Sequence, residues 1–279
     1  MDPVFIAYYL QTPAFHGDKN RHVARAKMKR LSLDGLKQIR IPVPPLDVQR
    51  EIVSVLERFQ ALESQLEAEL KRELVARRQQ YAHYRNALLN FSERERERER
   101  VRWVVMGELV TIGTGSRNTN EAVPDGQFPF YVRSQAPLAI DEAEFDEVAI
   151  VTAGDGVGVG KVFHFVEGPY ALHQRAYRLR VESPLLVPKF LFHYIRHDFA
   201  RYLSTTAVHA SVTSLRKPMF ENYPVPILPL EDQRRIAAVL DDLESAVVEL
   251  SSELTAELAA RDLQYRYHRD RLLAFKVAA

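Results

Sequence analysis

The chain of 279 residues carries 38 Lys plus Arg against 37 Asp plus Glu, is 46% hydrophobic and contains no cysteine. The length allows one large or two modest globular units, the composition excludes wholesale disorder, and the missing thiols exclude disulfides, cysteine nucleophiles and Cys-ligated zinc or iron–sulfur centres. A net charge of +1 says nothing about partners, so any nucleic-acid footprint must be local. No apolar run reaches the roughly 18–20 residues of a membrane helix, and Met1–Leu10 has no basic stretch ahead of its apolar residues. The expectation is a cytoplasmic protein without membrane contact.

The N-terminal residues Asp2-Pro3-Val4-Phe5 faintly resemble the motif of amino-methyltransferases but depart from it at Val4, and no glycine-rich cofactor motif precedes them. They read better as the start of an apolar helix. Met1–Arg40 then holds eight Lys or Arg against three Asp or Glu, a local surplus of five.

A repeat follows. Ile41–Phe91 aligns without a gap to Val225–Phe275, 184 residues further on, and 21 of 51 positions are identical. The matches include Pro42/Pro226, Gln49/Gln233, Arg50/Arg234 and Ile52/Ile236 at one end and Arg85/Arg269, Leu88/Leu272 and Phe91/Phe275 at the other. Pro3–Leu10 also resembles Pro188–Ile195, so the chain amounts to one and a half units of a duplication. In each copy a Pro-rich lead-in stops at Pro45-Leu46-Asp47 or Pro229-Leu230-Glu231, and a helical stripe begins. Ile236, Leu240, Leu243, Val247, Leu250 and Leu254 recur at alternating spacings of four and three; Ile52, Leu56, Phe59, Leu66 and Leu70 do the same, with Glu63 breaking the seam. Helices of roughly 40 residues would run ~60 Å and need a partner for the stripe. A core helix and a homodimeric coiled coil are open alternatives; the duplication favours an antiparallel pair within one chain, Ile52–Leu70 against Ile236–Leu254. Ser92–Arg100, SERERERER, reads as a solvated linker because each arginine has its own glutamate.

Arg102 to Asn222 reads as a mixed domain. Trp103–Ile112, Ala149–Thr152, Val162–Val166 and Ala176–Val181 are strand-like, glycines and prolines punctuate them, and Pro188–Tyr202 turns helical. Ala153–Lys161, AGDGVGVGK, fails as a phosphate loop: Asp155 stands where the first Gly of that motif belongs, and Val162 stands where Ser or Thr belongs. A glycine-rich turn that brings backbone N–H groups and Lys161 to a nucleic-acid phosphate is the better reading. The nine histidines form no metal-ligand spacing, and no nuclease or protease constellation is present, so the residues favour a binding module over an enzyme. Lys161–Lys217 carries nine Lys or Arg against three Asp or Glu, while Asp141–Glu147 is acidic.

Five stretches now point to a family: Val104–Gly115, Phe128–Gln135, Val148–Lys161, Leu172–Tyr177, and Pro224–Ile236 with its repeat Pro42–Ile52. Their layout resembles the specificity subunit of type I restriction-modification systems, whose two target-recognition domains alternate with two long helices. The resemblance implies an α+β chain in which a mixed α/β target-recognition domain accompanies two long helices forming an antiparallel coiled-coil spacer. The segments would be a remnant of a first recognition domain (1–43), the first helix and linker (44–100), a complete recognition domain (101–224) and the second helix (225–279). It further implies a non-catalytic reader of double-stranded DNA that holds methyltransferase subunits and restriction motor subunits. S-adenosylmethionine, ATP and magnesium would serve those partners, none being bound by this chain. Only the end of a first recognition domain precedes the first helix, so one half-site at most is expected, unless the chain self-associates as a half-subunit. The alternative is a regulatory or inactive fragment that pairs through its helices without reading DNA.

Arginine reads guanine and glutamine reads adenine by paired hydrogen bonds. The candidates for base edges are Arg133, Ser134, Gln135, Gln174 and Arg175, although Arg175 could equally form a structural ion pair with Asp146 or Asp155. Lys161, Arg216 and Lys217 are the phosphate candidates, with Lys27, Lys29 and Arg30 as counterparts in the partial first unit.

Overall fold

The structure is a computed structural model, and it describes residues 1–24, 30–91, 101–206 and 214–275. The side chains of Ala24, Arg30 and Thr206 lie outside the description, as do the whole of Lys27 and Lys29 and the linker Ser92–Arg100. Two compact units emerge: unit 1 is Met1–Arg78 with Ala246–Ala279, and unit 2 is Gln79–Ser245. Boundaries expected at 43/44, 100/101 and 224/225 follow the chain; the packing units instead cut through both long helices.

Unit 1 begins with α1 (Pro3–Tyr9), started by Asp2, whose carboxylate accepts from the N–H groups of Val4 at 2.8 Å and Phe5 at 3.2 Å. The methyltransferase-like Asp2-Pro3 is therefore a helix cap. The two helices α2 (Pro13–Arg21) and α3 (Leu33–Gln38) are capped by Thr12 and Ser32 in the same way, with the short hairpin β1 (Val23–Ala24) and β2 (Arg30–Leu31) between them. The long helix α4 (Leu46–Leu89) follows.

Unit 2 opens on β3 (Arg102–Val105), which a short turn at Met106–Glu108 separates from β4 (Val110–Thr114). The single strand expected over Trp103–Ile112 is therefore two strands in two different sheets. Next come β5 (Phe128–Tyr131), β6 (Leu138–Ile140), β7 (Phe145–Ala153), β8 (Phe163–Leu172) and β9 (Ala176–Val181). They form a six-stranded sheet in the order β4-β9-β7-β8-β5-β6, in which only β5 and β8 run parallel. Helix α5 (Pro188–Thr206) covers it with Phe190, Leu191, Ile195 and Phe199 fully buried. After α6 (Lys217–Glu221), β10 (Pro224–Ile227) pairs antiparallel with β3, and α7 (Leu230–Leu272) completes the chain. The lead-in Pro224–Ile227 is thus a strand in its own right.

The long helices run antiparallel to each other within each unit. In unit 1, the Phe59 ring stacks on His268 at 5.3 Å and Gln60 donates to the Tyr265 hydroxyl at 2.9 Å. In unit 2, Ile236, Ala237 and Leu240 share a core with Leu89 and the flanking Tyr81 and Leu88. This corrects the expected register. Ile52–Leu70 faces the C-terminal half of α7, and Ile236–Leu254 faces the C-terminal half of α4, because an antiparallel pair matches the start of one helix to the end of the other. The seam residues also divide. Ile52 and Leu56 are buried among Phe5, Tyr8, Tyr9 and Leu273, and Leu254 is buried too. Phe59, Leu66, Leu70, Leu243, Val247 and Leu250 are half-buried along the pair.

A buried glutamine repeats in both units. Gln49 Oε1 accepts from the Asp2 N–H at 2.8 Å, and its Nε2 donates to the Pro44 carbonyl at 2.6 Å. Gln233 Oε1 accepts from the Val187 N–H at 2.8 Å, and its Nε2 donates to the carbonyls of Leu185 and Leu228, both at 2.8 Å. Each glutamine thereby ties the residue before the proline of α1 or α5 to the lead-in of its own long helix. Each is 0–1% exposed, so no water replaces these bonds.

Candidate nucleic-acid interface

The loops that leave β5, β7 and β8 converge on one carboxylate. Asp155 follows β7 in an extended conformation, and its two oxygens take Arg133 Nη1 at 3.0 Å and Arg175 Nη1 at 3.2 Å. Arg133 lies just past β5, and Arg175 lies in the connection from β8 to β9. Of the two acids open to Arg175, Asp155 is the partner; Asp146 sits opposite Pro169 in the β7–β8 ladder. Burial pushes the Asp155 carboxyl up, but the hydrogen bonds and charges of Arg133 and then Arg175 outweigh it, and the group stays below the usual carboxylate range. Both guanidiniums remain exposed, so each keeps free donors toward solvent.

Backbone packing explains the glycine-rich loop. Gly154 donates to the Arg175 carbonyl at 2.8 Å and accepts from Leu215 N–H at 2.7 Å. A Cβ at Gly154 would lie 2.5 Å from that Arg175 oxygen, so only glycine lets the strands approach. Gly156 and Gly160 take positive φ angles of 80° and 68°, which turn the loop back to Lys161. The loop is therefore a junction of the sheet with residues 214–216.

On the other side of Arg175, the Gln174 amide donates to Asn118 Oδ1, and Gln174 N–H donates to the Arg117 carbonyl at 2.9 Å. Arg117 is held by Glu121 at 3.1 Å and Glu142 at 3.0 Å. The ring of His173 accepts from Arg175 N–H at 3.0 Å, and His173 N–H donates to the Tyr131 carbonyl at 2.9 Å. Ser134 turns inward on its own loop, its hydroxyl donating to the Ala136 carbonyl at 2.7 Å. Gln135 beside it is exposed. Arg133, Gln174 and Arg175 are thus brought together, and Ser134 and Gln135 lie on the adjoining loop.

The phosphate candidates separate by their partners. Across Lys161–Lys217, Arg175, Arg178, Arg180, Lys189, Arg196, Arg201 and Lys217 all meet carboxylates. Lys161 and Arg216 are exposed and have no carboxylate partner among the described residues. Arg216 follows Leu215, which bonds Gly154, while Lys161 closes the same loop. Lys217 opens α6 and pairs with Glu221 at 3.6 Å. Lys27, Lys29 and the Arg30 side chain lie outside the described residues.

The three glutamates of the acidic run are likewise engaged within the domain. Glu142 holds Arg117, Glu144 accepts from Ser116 N–H at 2.9 Å, and Glu147 holds Arg178 at 2.8 Å and the Tyr170 hydroxyl at 2.9 Å. Desolvation, then the hydrogen bond to Glu147, pushes the Tyr170 phenol far above its ordinary value.

Sequence reasoning missed Arg117 and Asn118, whose only signal was a capping pattern, Asn118 three residues before Glu121. It also missed a cleft of about 530 Å³ lined by Tyr131, His164, Phe165, Lys189, Arg196 and Glu244. There the Lys189 ammonium lies 4.2 Å from the Phe165 ring centre, and Arg196 makes two bonds of 2.9 Å to Glu244. These cations are already satisfied, so the cleft ties α5 to α7. Among the described residues no group of three His, Asp or Glu is placed to hold a metal ion, and no helix is long and apolar enough to cross a membrane.

Comparison with known proteins gives a consistent result. The sequence profile described as the type I restriction modification DNA specificity domain matches residues 2–74 and 101–260. The EcoR124I/EcoR124II specificity subunit of Escherichia coli is 27% identical, over 97% of this chain and 70% of that protein. The type I specificity subunit S.MpnORF615P of Mycoplasma pneumoniae is 26% identical, over 84% of this chain and 93% of its own length. Among solved structures, a chain from a type I restriction-modification assembly superposes with a TM-score of 0.67 at 18% identity, covering 99% of this chain and 72% of that one. The HsdS subunit of Thermoanaerobacter tengcongensis gives 0.60 at 17% identity, over 98% and 69%. At such identities the structural likeness speaks for the fold.

Proposed function

The chain belongs to the family of type I restriction-modification specificity subunits, and on that footing we propose that unit 2 reads one DNA half-site through the loops around Asp155. Arg133, Gln135, Gln174 and Arg175 face base edges, and Lys161 and Arg216 fix the register on phosphates. The chain is a recognition component rather than an enzyme. The paired helices α4 and α7 are the surface for methyltransferase subunits, with motor subunits joining that assembly. S-adenosylmethionine, ATP and magnesium are requirements of those partners.

The observation that carries this reading is the placement of Lys161 and Arg216. Among the described residues the other cations of the stretch are all paired to carboxylates, whereas these two have no carboxylate partner and stand on the loop junction that also presents Arg133 and Arg175. Free cations beside donors suited to base edges are what a DNA reader requires.

The test is selection of bound duplexes from a random library, followed by affinity measurements over a range of salt. Changing Lys161 and Arg216 together to Ala should make the log–log salt slope shallower by about 1.8, at roughly 0.9 per lost phosphate contact, and weaken all duplexes alike. Gln174→Ala or Gln135→Ala should instead change the selected sequence. Absence of any selected sequence would favour the helix-pairing fragment that does not read DNA.

A further inference from the structure

In unit 2 the segment after β4 is stitched to the connection from β8 to β9, which carries Gln174. Gly115 lies so close to Leu172 that a Cβ there would stand 1.9 Å from the Leu172 carbonyl oxygen. The Glu144 carboxylate accepts from the N–H groups of Ser116 at 2.9 Å and Leu172 at 3.4 Å, joining the two backbones. Arg117 N–H donates to the Leu172 carbonyl at 3.2 Å, and the Arg117 carbonyl accepts from Gln174 N–H at 2.9 Å, so Arg117 and His173 form a parallel bridge. The Arg117 guanidinium is held between Glu121 and Glu142, and Asn118 N–H donates to Glu121 Oε1 at 2.6 Å. Backbone positions 118 and 174 are therefore fixed side by side before any ligand arrives.

On this frame Gln174 Nε2 donates to Asn118 Oδ1, and both residues are exposed. A glutamine amide carries two N–H donors and one acceptor oxygen. Asn118 takes one of the donors, which leaves Gln174 with one N–H and its Oε1 turned to solvent. Turning the Gln174 amide alone would set Oε1 against Oδ1, two acceptors face to face. One donor beside one acceptor is the pattern that meets N7 and N6 of adenine, whereas guanine offers two acceptors, N7 and O6, and asks for two donors.

We propose that Asn118 is a positioning residue that sets the base preference of Gln174. By occupying one Nε2 proton it holds the amide in the orientation that reads adenine and withholds the second donor that guanine would take. Leaving the rival base without its partner raises specificity without any added contact to the right one. The inference rests on the reading of DNA by Gln174 proposed above, and adds to it the residue that decides between the two purines.

The test is selection of bound duplexes from a random library by the full chain and its variants, read one base pair at a time. The base pair read by Gln174 is the one at which Gln174→Ala erases the preference. There Asn118→Ala should lower the adenine-to-guanine ratio about five- to tenfold, near the lower end of what one bidentate pair discriminates, and leave the other positions unchanged. Asn118→Asp keeps an acceptor and has no side-chain N–H, so it should keep adenine at that position while its added negative charge weakens all duplexes alike. In the Gln174→Ala background, Asn118→Ala should change the profile no further. Thermal transitions should match that of the unmodified chain, since both side chains are exposed. A profile that loosens at several positions in Asn118→Ala, or an affinity that falls alike on all duplexes, would overturn the proposal, because the residue would then support only the loop. So would an adenine preference untouched by Asn118→Ala or lost in Asn118→Asp. If the unmodified chain selects no sequence, the reading of DNA falls and this inference with it. If it selects one and only the Asn118 outcomes fail, the reading of DNA stands and the positioning role is refuted.

Discussion

Removing the carboxylate of Asp155 tests whether the arginines at the loop junction are held ready or merely neutralised. In Asp155→Ala both Arg133 and Arg175 lose their shared partner. The pairs are partly exposed and screened, so folding should weaken by no more than about 1 kcal/mol. Specificity should suffer more. A guanidinium already oriented for a base edge avoids an ordering cost of about 0.5–1.5 kcal/mol per side chain on binding. Two released arginines therefore forfeit about 2 kcal/mol of the discrimination they supply, or roughly a thirtyfold fall in the ratio of selected to random duplex affinity. Affinity for random duplex should hold or rise, because the variant gains a net positive charge. The assay is fluorescence anisotropy of selected and scrambled duplexes at several salt concentrations. An unchanged ratio would refute the positioning argument, and a parallel loss on both duplexes would show that the carboxylate supports only the loop fold.

Three further outcomes follow from particular contacts. Gln233→Leu should cost about 3 kcal/mol of stability by urea unfolding, because it strands the Val187 N–H and the carbonyls of Leu185 and Leu228 in a dry site. Gln49→Leu should cost somewhat less, having two such partners rather than three; a loss under 1 kcal/mol in both would contradict the assigned role. His164, His173, His193 and His197 are all held below the ordinary imidazole value, burial being the largest cause in each. The unfolded chain therefore binds more protons, and stability should be full above about pH 6.5 and fall as pH drops through and below it. His193→Gln should flatten part of that fall in unfolding curves taken from pH 7.5 to 5.5, and an unflattened curve would remove His193 from the account.

Much of this was legible in the sequence because periodicity and repetition are local properties. The lead-in prolines, the long stripes and the helix at Pro188 all emerged at their observed places. The register of the helix pair did not, since each stripe reads alike along its length and nothing local says which half faces which. The strand β5 was hidden by its shortness and by Pro129, and the break between β3 and β4 by an apolar run that continues across Gly107. The base candidates came from residue type; their clustering depends on Arg133 and Asp155 meeting across 22 positions, which only the sheet register brings about. The charge surplus of Lys161–Lys217 misled for the same reason, because the acids that neutralise it, such as Glu147, Asp155 and Glu244, lie elsewhere in the chain or outside the stretch.

The distribution of identities within the repeat has a physical cause. Between positions 57 and 72, only Leu66, Glu69 and Leu70 match their counterparts Leu250, Glu253 and Leu254. The matches gather instead at the two ends of each long helix. Those ends are where burial is complete: Gln49, Ile52 and Leu56 with Leu273 in unit 1, and Gln233, Ile236 and Leu240 with Leu89 in unit 2. Each core is built from the start of one copy and the end of the other, so a change at either end meets a packed neighbour from the opposite copy. A single lost methylene there costs on the order of 1 kcal/mol, whereas an exposed substitution mid-helix costs a few tenths. The middle stretch meets water along much of its surface, as Leu62 at 66% and Val248 at 62% exposure show, and its residues are free to differ. The two copies have therefore kept the residues that answer to each other across the antiparallel pair and let the length between them drift.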